Sequence, residues 1–382
     1  MYCGFTEEMA TTIFNRWNVP EVREEFEWEL FNFAVRYLRS HNRDTCGEPE
    51  DDWDAYLQKC GADEQVRMAI TRPGHDDVRY TQTARYWFIW SLEEKYAYLK
   101  YMKEVSKGYG DKVREQQRAQ AGDTSGSTPG QPTSARSQGG DTANSPSAPP
   151  TAFVGRSGRV FSPRVASPGK TVLWKGCGRM RVEECWRKSF RQGLYRFDNL
   201  ISQKGGDFSP IKELYYFTNA IAGAQHYARY VTGLASRAGV CLVSIELPNQ
   251  AIENARPYLL NYPSDEFKKA VWYSRRVIDF REVSDQDLVA VHQAQFLIGD
   301  TCNGTRETYE NMDHWSNIGP RRLVMLPRTP TENDPREEEP MKQYAFDRDF
   351  ALGLSAADKT ITIHRANDPD VVLTEGIDFA QY

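Results

Sequence analysis

Two rhythms of apolar residues divide this chain. In the N-terminal part they return every three or four positions. After Pro20, the side chains Val22, Phe26, Leu30, Phe33, Ala34 and Tyr37 recur at helical intervals, and Glu21, Glu24 and Glu25 sit where the positive end of a helix dipole favours acids. A second, short helix is predicted around Trp53, Tyr56 and Leu57. A third, over about 80–107, carries Phe88, Leu92, Tyr96 and Leu99 on one stripe. It is expected to stop near Gly108-Tyr109-Gly110, where glycine can take a left-handed cap. Three such helices predict a small helical bundle over residues 1–107, with its Trp and Tyr residues read as core.

In the C-terminal part the apolar runs are short and bounded by turn residues. Val240 to Leu247 reads as a strand that Pro248-Asn249 ends, and Ser264 caps a helix with Asp265 and Glu266 in its first turn and a body from Phe267 to Val277. Further strands are expected at Gln295–Gly299, Arg322–Leu326, Gln343–Phe346 and Thr360–His364. Strands outnumber helices and do not alternate with them, which predicts an α+β class rather than a doubly wound sheet. Between the two parts, residues 108–164 turn to Ser, Thr, Pro, Gly and Gln. Ordering such a segment costs about 1–2 kcal/mol of backbone entropy per residue with little apolar burial to offset it, so a disordered linker is expected. The predicted organisation is a helical domain (1–107), a linker (108–164) and a second domain (165–382).

Composition narrows the function classes. With 382 residues and 40% hydrophobic content, the chain can bury ordinary cores without disulfide staples. A net charge of −5 argues against a nucleic-acid coat. The basic stretch over 156–191, which includes Arg179, Arg187, Lys188 and Arg191, reads as a solvated run, with a nucleic-acid-binding face as its alternative. The most apolar stretch, Tyr86 to Trp90, is bracketed by Arg85 and by Glu93-Glu94-Lys95, so no membrane span is expected. The N-terminus shows no basic segment followed by an apolar one, and a cytoplasmic or otherwise intracellular location, the nucleus included, is the expectation. The seven cysteines form no CxxC pair and have no histidines at ligand spacing; reduced thiols and no metal site are expected. Neither GxGxxG nor a P-loop is present.

Candidate chemistry lies where aromatic residues cluster. Leu194-Tyr195-Arg196-Phe197 is followed by Leu214-Tyr215-Tyr216-Phe217-Thr218 and then by Ala224-Gln225-His226-Tyr227-Ala228. A strand ending in aromatics, with a helix presenting another aromatic toward it, can build a two-sided slot for a flat ring such as nicotinamide, adenine or a nucleobase. Taken singly, Tyr216 and Tyr227 read equally as core aromatics, Arg196 as a surface charge, and His226 as a satisfied imidazole.

The succession of Leu194-Tyr195-Arg196, the strand ending Tyr216-Phe217-Thr218, the helix with Tyr227, and the late Gln343-Tyr344-Ala345-Phe346 with Phe350-Ala351-Leu352 resembles the ADP-ribosyltransferase superfamily. The resemblance covers about 190–355 and is nearest the diphtheria-toxin and poly(ADP-ribose) polymerase side, and microbial and fungal domains on the same core. It implies a split-sheet fold and NAD as substrate. It also implies that Tyr216 and Tyr227 flank the nicotinamide, that Arg196 orients the ribose or pairs with a phosphate, and that the main chain at Arg196 and Phe197 meets the carboxamide. Gln343 would bond the ribose hydroxyls, with Gln343 and Arg196 as the catalytic pair. The implied activity is transfer of ADP-ribose to an acceptor, which can be a protein, or hydrolysis of NAD. Two positions depart from the family pattern: Gln343 stands where a Glu is usual, with Glu246, Glu307 or Glu310 as substitutes, and Ala224 stands where a Ser is common. The missing Glu keeps open a catalytically inactive interaction module that recruits a protein partner through the helical domain.

Overall fold

The computed structural model describes residues 3–25, 29–41, 45–122, 167–180, 182, 195–196, 200–202, 205–234, 240–327, 338–354, 360–365, 371–373 and 377–378. Helices fill the first part: α1 (Glu7–Trp17), α2 (Pro20–Glu25), α3 (Leu30–His41), α4 (Trp53–Lys59), α5 (Glu64–Ile70), α6 (Asp76–Arg79) and α7 (Ala84–Gly122). Thr6, Asp52 and Asp63 start α1, α4 and α5 by accepting from the amides of Met9, Ala55 and Val66, which no helical carbonyl can reach. The single stripe read from Val22 to Tyr37 is divided between α2 and α3. Helix α7 does not stop at Gly108-Tyr109-Gly110 but runs on to Gly122. Each glycine there costs only about 1 kcal/mol relative to alanine, and the Lys, Glu, Arg and Gln that follow favour helix. Residues 108–122 are therefore helical, whereas 123–164 of the expected linker lie outside the described residues.

The C-terminal half is built on an eight-stranded sheet in the order β11-β10-β4-β1-β3-β9-β6-β5. Its strands are β1 (Lys170–Gly178), β3 (Tyr215–Thr218), β4 (Val240–Pro248), β5 (Tyr258–Leu260), β6 (Phe296–Asp300), β9 (Lys342–Phe346), β10 (Thr360–Arg365) and β11 (Val371–Leu373). All neighbours are antiparallel except β5 with β6. Two short pairs stand apart, β2 (Tyr195–Arg196) with β12 (Ile377–Asp378) and β7 (Met325–Pro327) with β8 (Glu338–Pro340). Strands β1 and β3 meet only at Trp174 opposite Thr218, so the sheet splits there into two four-stranded halves. Its helices are α8 (Ile221–Leu234), α9 (Asn249–Asn254), α10 (Asp265–Arg275), α11 (Gln286–Gln293), α12 (Arg306–Glu310) and α13 (Arg348–Gly353). With helices gathered before and around a largely antiparallel sheet, the protein is of the α+β class.

Strand alternation decides what each face does. Tyr215 and Phe217 of β3 point to one side, where they join Phe296, Phe346 and Phe350 in a buried aromatic core. Tyr216 and Thr218 point to the other side. There α8 covers β1 and β4 through Ala224, Ala228, Val172, Trp174 and Leu242, and α10 and α11 cover the far end through Phe267, Val271, Leu288 and Leu297. Gly176 of β1 lets α8 approach this closely, since a Cβ there would collide with the Ala224 carbonyl and the Ala228 amide. Strand β1 is also a correction. Of the basic stretch 156–191 only 167–180 and 182 are described, and Lys170–Gly178 forms a central strand with Leu173 and Trp174 buried, not a solvated run.

The N-terminal helices sit on this sheet through a shared core in which Leu57, Ile70, Trp87 and Phe88 pack with Tyr230, Val231 and Leu234 of α8. The Ser91 hydroxyl donates to the Leu234 carbonyl at 2.8 Å, and the Tyr230 hydroxyl to that of Ile70 at 3.2 Å. At the edge of this seam His226 and Asp77 are hydrogen-bonded at 2.7 Å, and the ring of His75 lies 5.3 Å from that of His226. Burial, assisted by His226, Arg72 and Arg229, pulls the His75 imidazole below its ordinary range, and Asp77 only partly opposes this. A histidine held low in the folded state takes up its proton more readily when the chain unfolds. Its contribution to stability is therefore present above the ordinary value of about 6.5 and lost as pH falls through the lowered folded value. Thermal unfolding followed from about pH 7.5 to about pH 5 should show the wild type losing stability faster than His75→Gln; parallel curves would remove His75 from this role.

Candidate functional site

Between the halves covered by α8 and by α10, one strip of the sheet face carries no helix of the C-terminal half. Helix α7 and the turn before it close over this strip and leave a cavity of about 700 Å³, within the roughly 300–1,000 Å³ typical of small-molecule sites. Tyr216 of β3, Tyr227 of α8 and Gln343 of β9 all line it. The pairing of Thr218 with Gln343 places β3 and β9 side by side. Tyr216 reaches over Gly206, and its hydroxyl accepts from the Phe208 amide at 3.3 Å. Burial raises the Tyr216 and Tyr227 hydroxyls well above the ordinary phenol range, and the charge of Asp207 raises both further. Both phenols are therefore protonated at neutral pH, and neither can act as a phenolate base.

Beneath the tyrosines lies a buried polar network that the sequence did not reveal. Asp207, 3% exposed, accepts from Arg275 Nε at 2.7 Å, from the Cys302 amide at 3.0 Å and from Gln343 Nε2 at 2.6 Å. The Arg275 guanidinium also donates to the carbonyls of Thr81 at 3.0 Å and Cys302 at 2.9 Å. Burial opposes the charge of Arg275, yet Asp207, helped by Tyr309 and Cys302, holds its pKa above the usual arginine value. Gln343 Nε2 also approaches the Asp300 carbonyl at 3.3 Å. Both amide protons of Gln343 are thus engaged, and its Oε1 is the atom left to meet a ligand as an acceptor. Thr301, buried in the same wall, contributes an Oγ1 with no hydrogen-bond partner.

The remaining sequence-derived positions have different settings. Tyr195–Arg196 forms β2, which pairs in parallel with β12 in a separate two-stranded sheet. The place beside β3 belongs to β1, whose longer run of buried residues stabilises a central strand far better than two residues can. Phe197 lies outside the described residues, and Arg196 is described only in its backbone. Strand β1 instead brings Trp174, Lys175 and Gly176 to the cavity, with Lys175 Nζ donating to the Tyr216 carbonyl at 3.1 Å. Of the proposed substitute acids, Glu246 binds the Ser167 hydroxyl at 3.0 Å and Glu310 pairs with Arg306 at 2.7 Å. Neither they nor Glu307 line the cavity, and Asp207 is its one acid among the described residues. Ala224 does line it and adds no polar group. A clue to strand β1 was Gly176, close after the apolar Val172-Leu173-Trp174, since a glycine within a strand often marks a close backbone approach. Asp207 carried no comparable signal.

Among the described residues, no helix is long and apolar enough to cross a membrane, and no group of three metal-ligating side chains could hold an ion. No family model, curated protein or solved structure matches this chain.

Proposed function

We propose that this cavity takes the nicotinamide end of NAD, and that the protein breaks the nicotinamide–ribose bond to pass ADP-ribose to water or to an acceptor. The observation that carries this reading is the convergence of Tyr216, Tyr227 and Gln343 on one cavity from three elements far apart in sequence. Two protonated phenol rings at its wall suit a flat cationic ring, and stacking of this kind contributes about 0.5–1.5 kcal/mol per pair beyond burial. Bond cleavage develops positive charge on the ribose, as glycoside hydrolysis does, so groups that accept hydrogen bonds from the ribose hydroxyls matter in the transition state. Gln343 Oε1, locked in orientation by Asp207, supplies that acceptor. The main chain at Lys175 and Gly176 takes the carboxamide role first expected of Arg196 and Phe197, because β1 is the strand beside Tyr216.

A second reading has its own observation. The oxygens of Asp207 are occupied by Arg275, Gln343 and the Cys302 amide, so the lining acid is not placed as a free base. That favours a module that binds NAD without turning it over. A nucleic-acid-binding role for 156–191 is the weaker alternative, since its described part is largely a central strand.

The full chain incubated with NAD labelled in the nicotinamide should release labelled nicotinamide. Tyr216→Ala should reduce release by about two- to tenfold, the equivalent of one stacking interaction, and Tyr216→Phe should retain most of it. Measurable NAD affinity without release selects the silent module. No affinity removes both readings.

A further inference from the structure

Strand β1 meets β3 only at Trp174 opposite Thr218, and past that contact the sheet is open. The cavity uses this opening. Besides residues of the α8 face, its lining includes Cys177 and Phe217, which belong to the buried core on the opposite face. Strands β1 and β4 pair without interruption from Lys170 opposite Pro248 to Gly178 opposite Val240, and this register sets Cys177 directly across from Cys241. Both are free thiols. Their sulfurs lie 3.7 Å apart, and the Cys177 sulfur is also 3.9 Å from the Cys241 carbonyl. Opposed residues of an antiparallel pair hold their Cα atoms about 4.5 or 5.5 Å apart, and both separations fall within the roughly 4.4–6.8 Å that a disulfide spans. Closing the remaining gap therefore takes side-chain rotation rather than a shift of the strands. Cys177 is 7% exposed and Cys241 1% exposed, so a small molecule in the cavity meets Cys177 first.

We infer that Cys177 and Cys241 are a reversible thiol-oxidation site, closed to a cross-strand disulfide by a small peroxide that enters through the cavity. The site goes beyond the NAD reading and does not depend on it. The Cys177 sulfur gives up its proton and attacks one peroxide oxygen; the O–O bond breaks, water leaves and a sulfenic acid remains. The Cys241 sulfur then attacks the Cys177 sulfur, the S–OH bond breaks, and the hydroxide departs with the Cys241 proton as a second water. The two thiols together lose two electrons, and the peroxide takes both. Contact with Cys177 and burial raise the Cys241 thiol well above its ordinary range, which makes Cys241 the resolving partner and its attack the slow step.

The full chain is treated with hydrogen peroxide under native conditions, unfolded with an alkylating agent that blocks the remaining thiols, and digested without reductant. Mass spectrometry should then find a peptide in which Cys177 is joined to Cys241, and a dithiol reductant should split it. The bond closes a loop of 64 positions, so the oxidised chain should unfold about 5 °C above the reduced one. Cys241→Ala should show neither the joined peptide nor the shift. Should that variant fail to fold, the peptide map of the wild type decides alone. Recovery of both cysteines as alkylated free thiols after peroxide, or of Cys177 joined to a different cysteine, overturns the inference. Neither NAD binding nor nicotinamide release enters these measurements, so failure here and failure of the NAD reading are told apart.

Discussion

Arg275→Leu should cost about 3–5 kcal/mol of folding stability, because it leaves a buried carboxylate without its counter-charge. Arg275 is 7% exposed and Asp207 3% exposed, and between them they organise four segments of chain. The guanidinium holds the Thr81 carbonyl of the turn before α7, the Cys302 carbonyl after β6, and Asp207 itself, while Asp207 holds Gln343 on β9. Removing one partner exposes the full desolvation penalty of the other, whereas removing both does not. Asp207→Asn combined with Arg275→Leu should therefore cost less than the sum of the two single changes, with a coupling of at least about 1 kcal/mol. Urea denaturation of the four proteins measures the cycle. Additive losses, or a single-variant loss below about 1 kcal/mol, would mean that the pair is not the clamp its geometry indicates.

Phe346→Ala should lose a similar amount, about 3–5 kcal/mol, through lost transfer energy and the void left behind. Phe346 is fully buried, and its ring lies 5.5 Å from Tyr215, 5.8 Å from Phe217 and 5.6 Å from Phe296, nearly parallel to all three. These residues come from three adjacent strands, so no single neighbour can move to fill the space. The same strands carry Tyr216 and Gln343 on their opposite face, and loosening the stack should also weaken ligand binding. Leu352→Ala, at a side chain 48% exposed, serves as the control and should stay within about 0.5 kcal/mol. Comparable losses for the two variants in thermal and urea unfolding would show that the aromatic stack is not what holds β3, β6 and β9 together.

Much of the fold was legible where local signals are strong. The apolar run Val240 to Leu247 is β4, Ser264 caps α10, and the expected strands near 295, 343 and 360 are β6, β9 and β10. Each rests on short-range chemistry, namely β-branched runs, a capping hydroxyl and turn residues. The failures have a common cause. Strand β1 was hidden because Lys170, Lys175 and two glycines interrupt its apolar pattern, and Gly176 is explained only by the backbone of α8 lying against it. Arg275 reads in sequence as an ordinary cation in the last turn of a helix, and Asp207 as a polar loop residue. Their pairing spans 68 positions, and no local pattern encodes it.

By itself the sequence determined the α+β class, the elements that carry Tyr216, Tyr227 and Gln343, and the alternation that sets Tyr216 on the opposite face from Tyr215 and Phe217. Periodicity and capping act within a few residues and survive without knowledge of neighbours. Only the tertiary structure decided that β1, not the segment around Arg196, stands beside β3, that a buried Asp207–Arg275 pair orients Gln343, and that the N-terminal helices close the cavity. Those outcomes depend on which surfaces can be buried together and which charges can be satisfied once buried, quantities that exist only when distant segments meet.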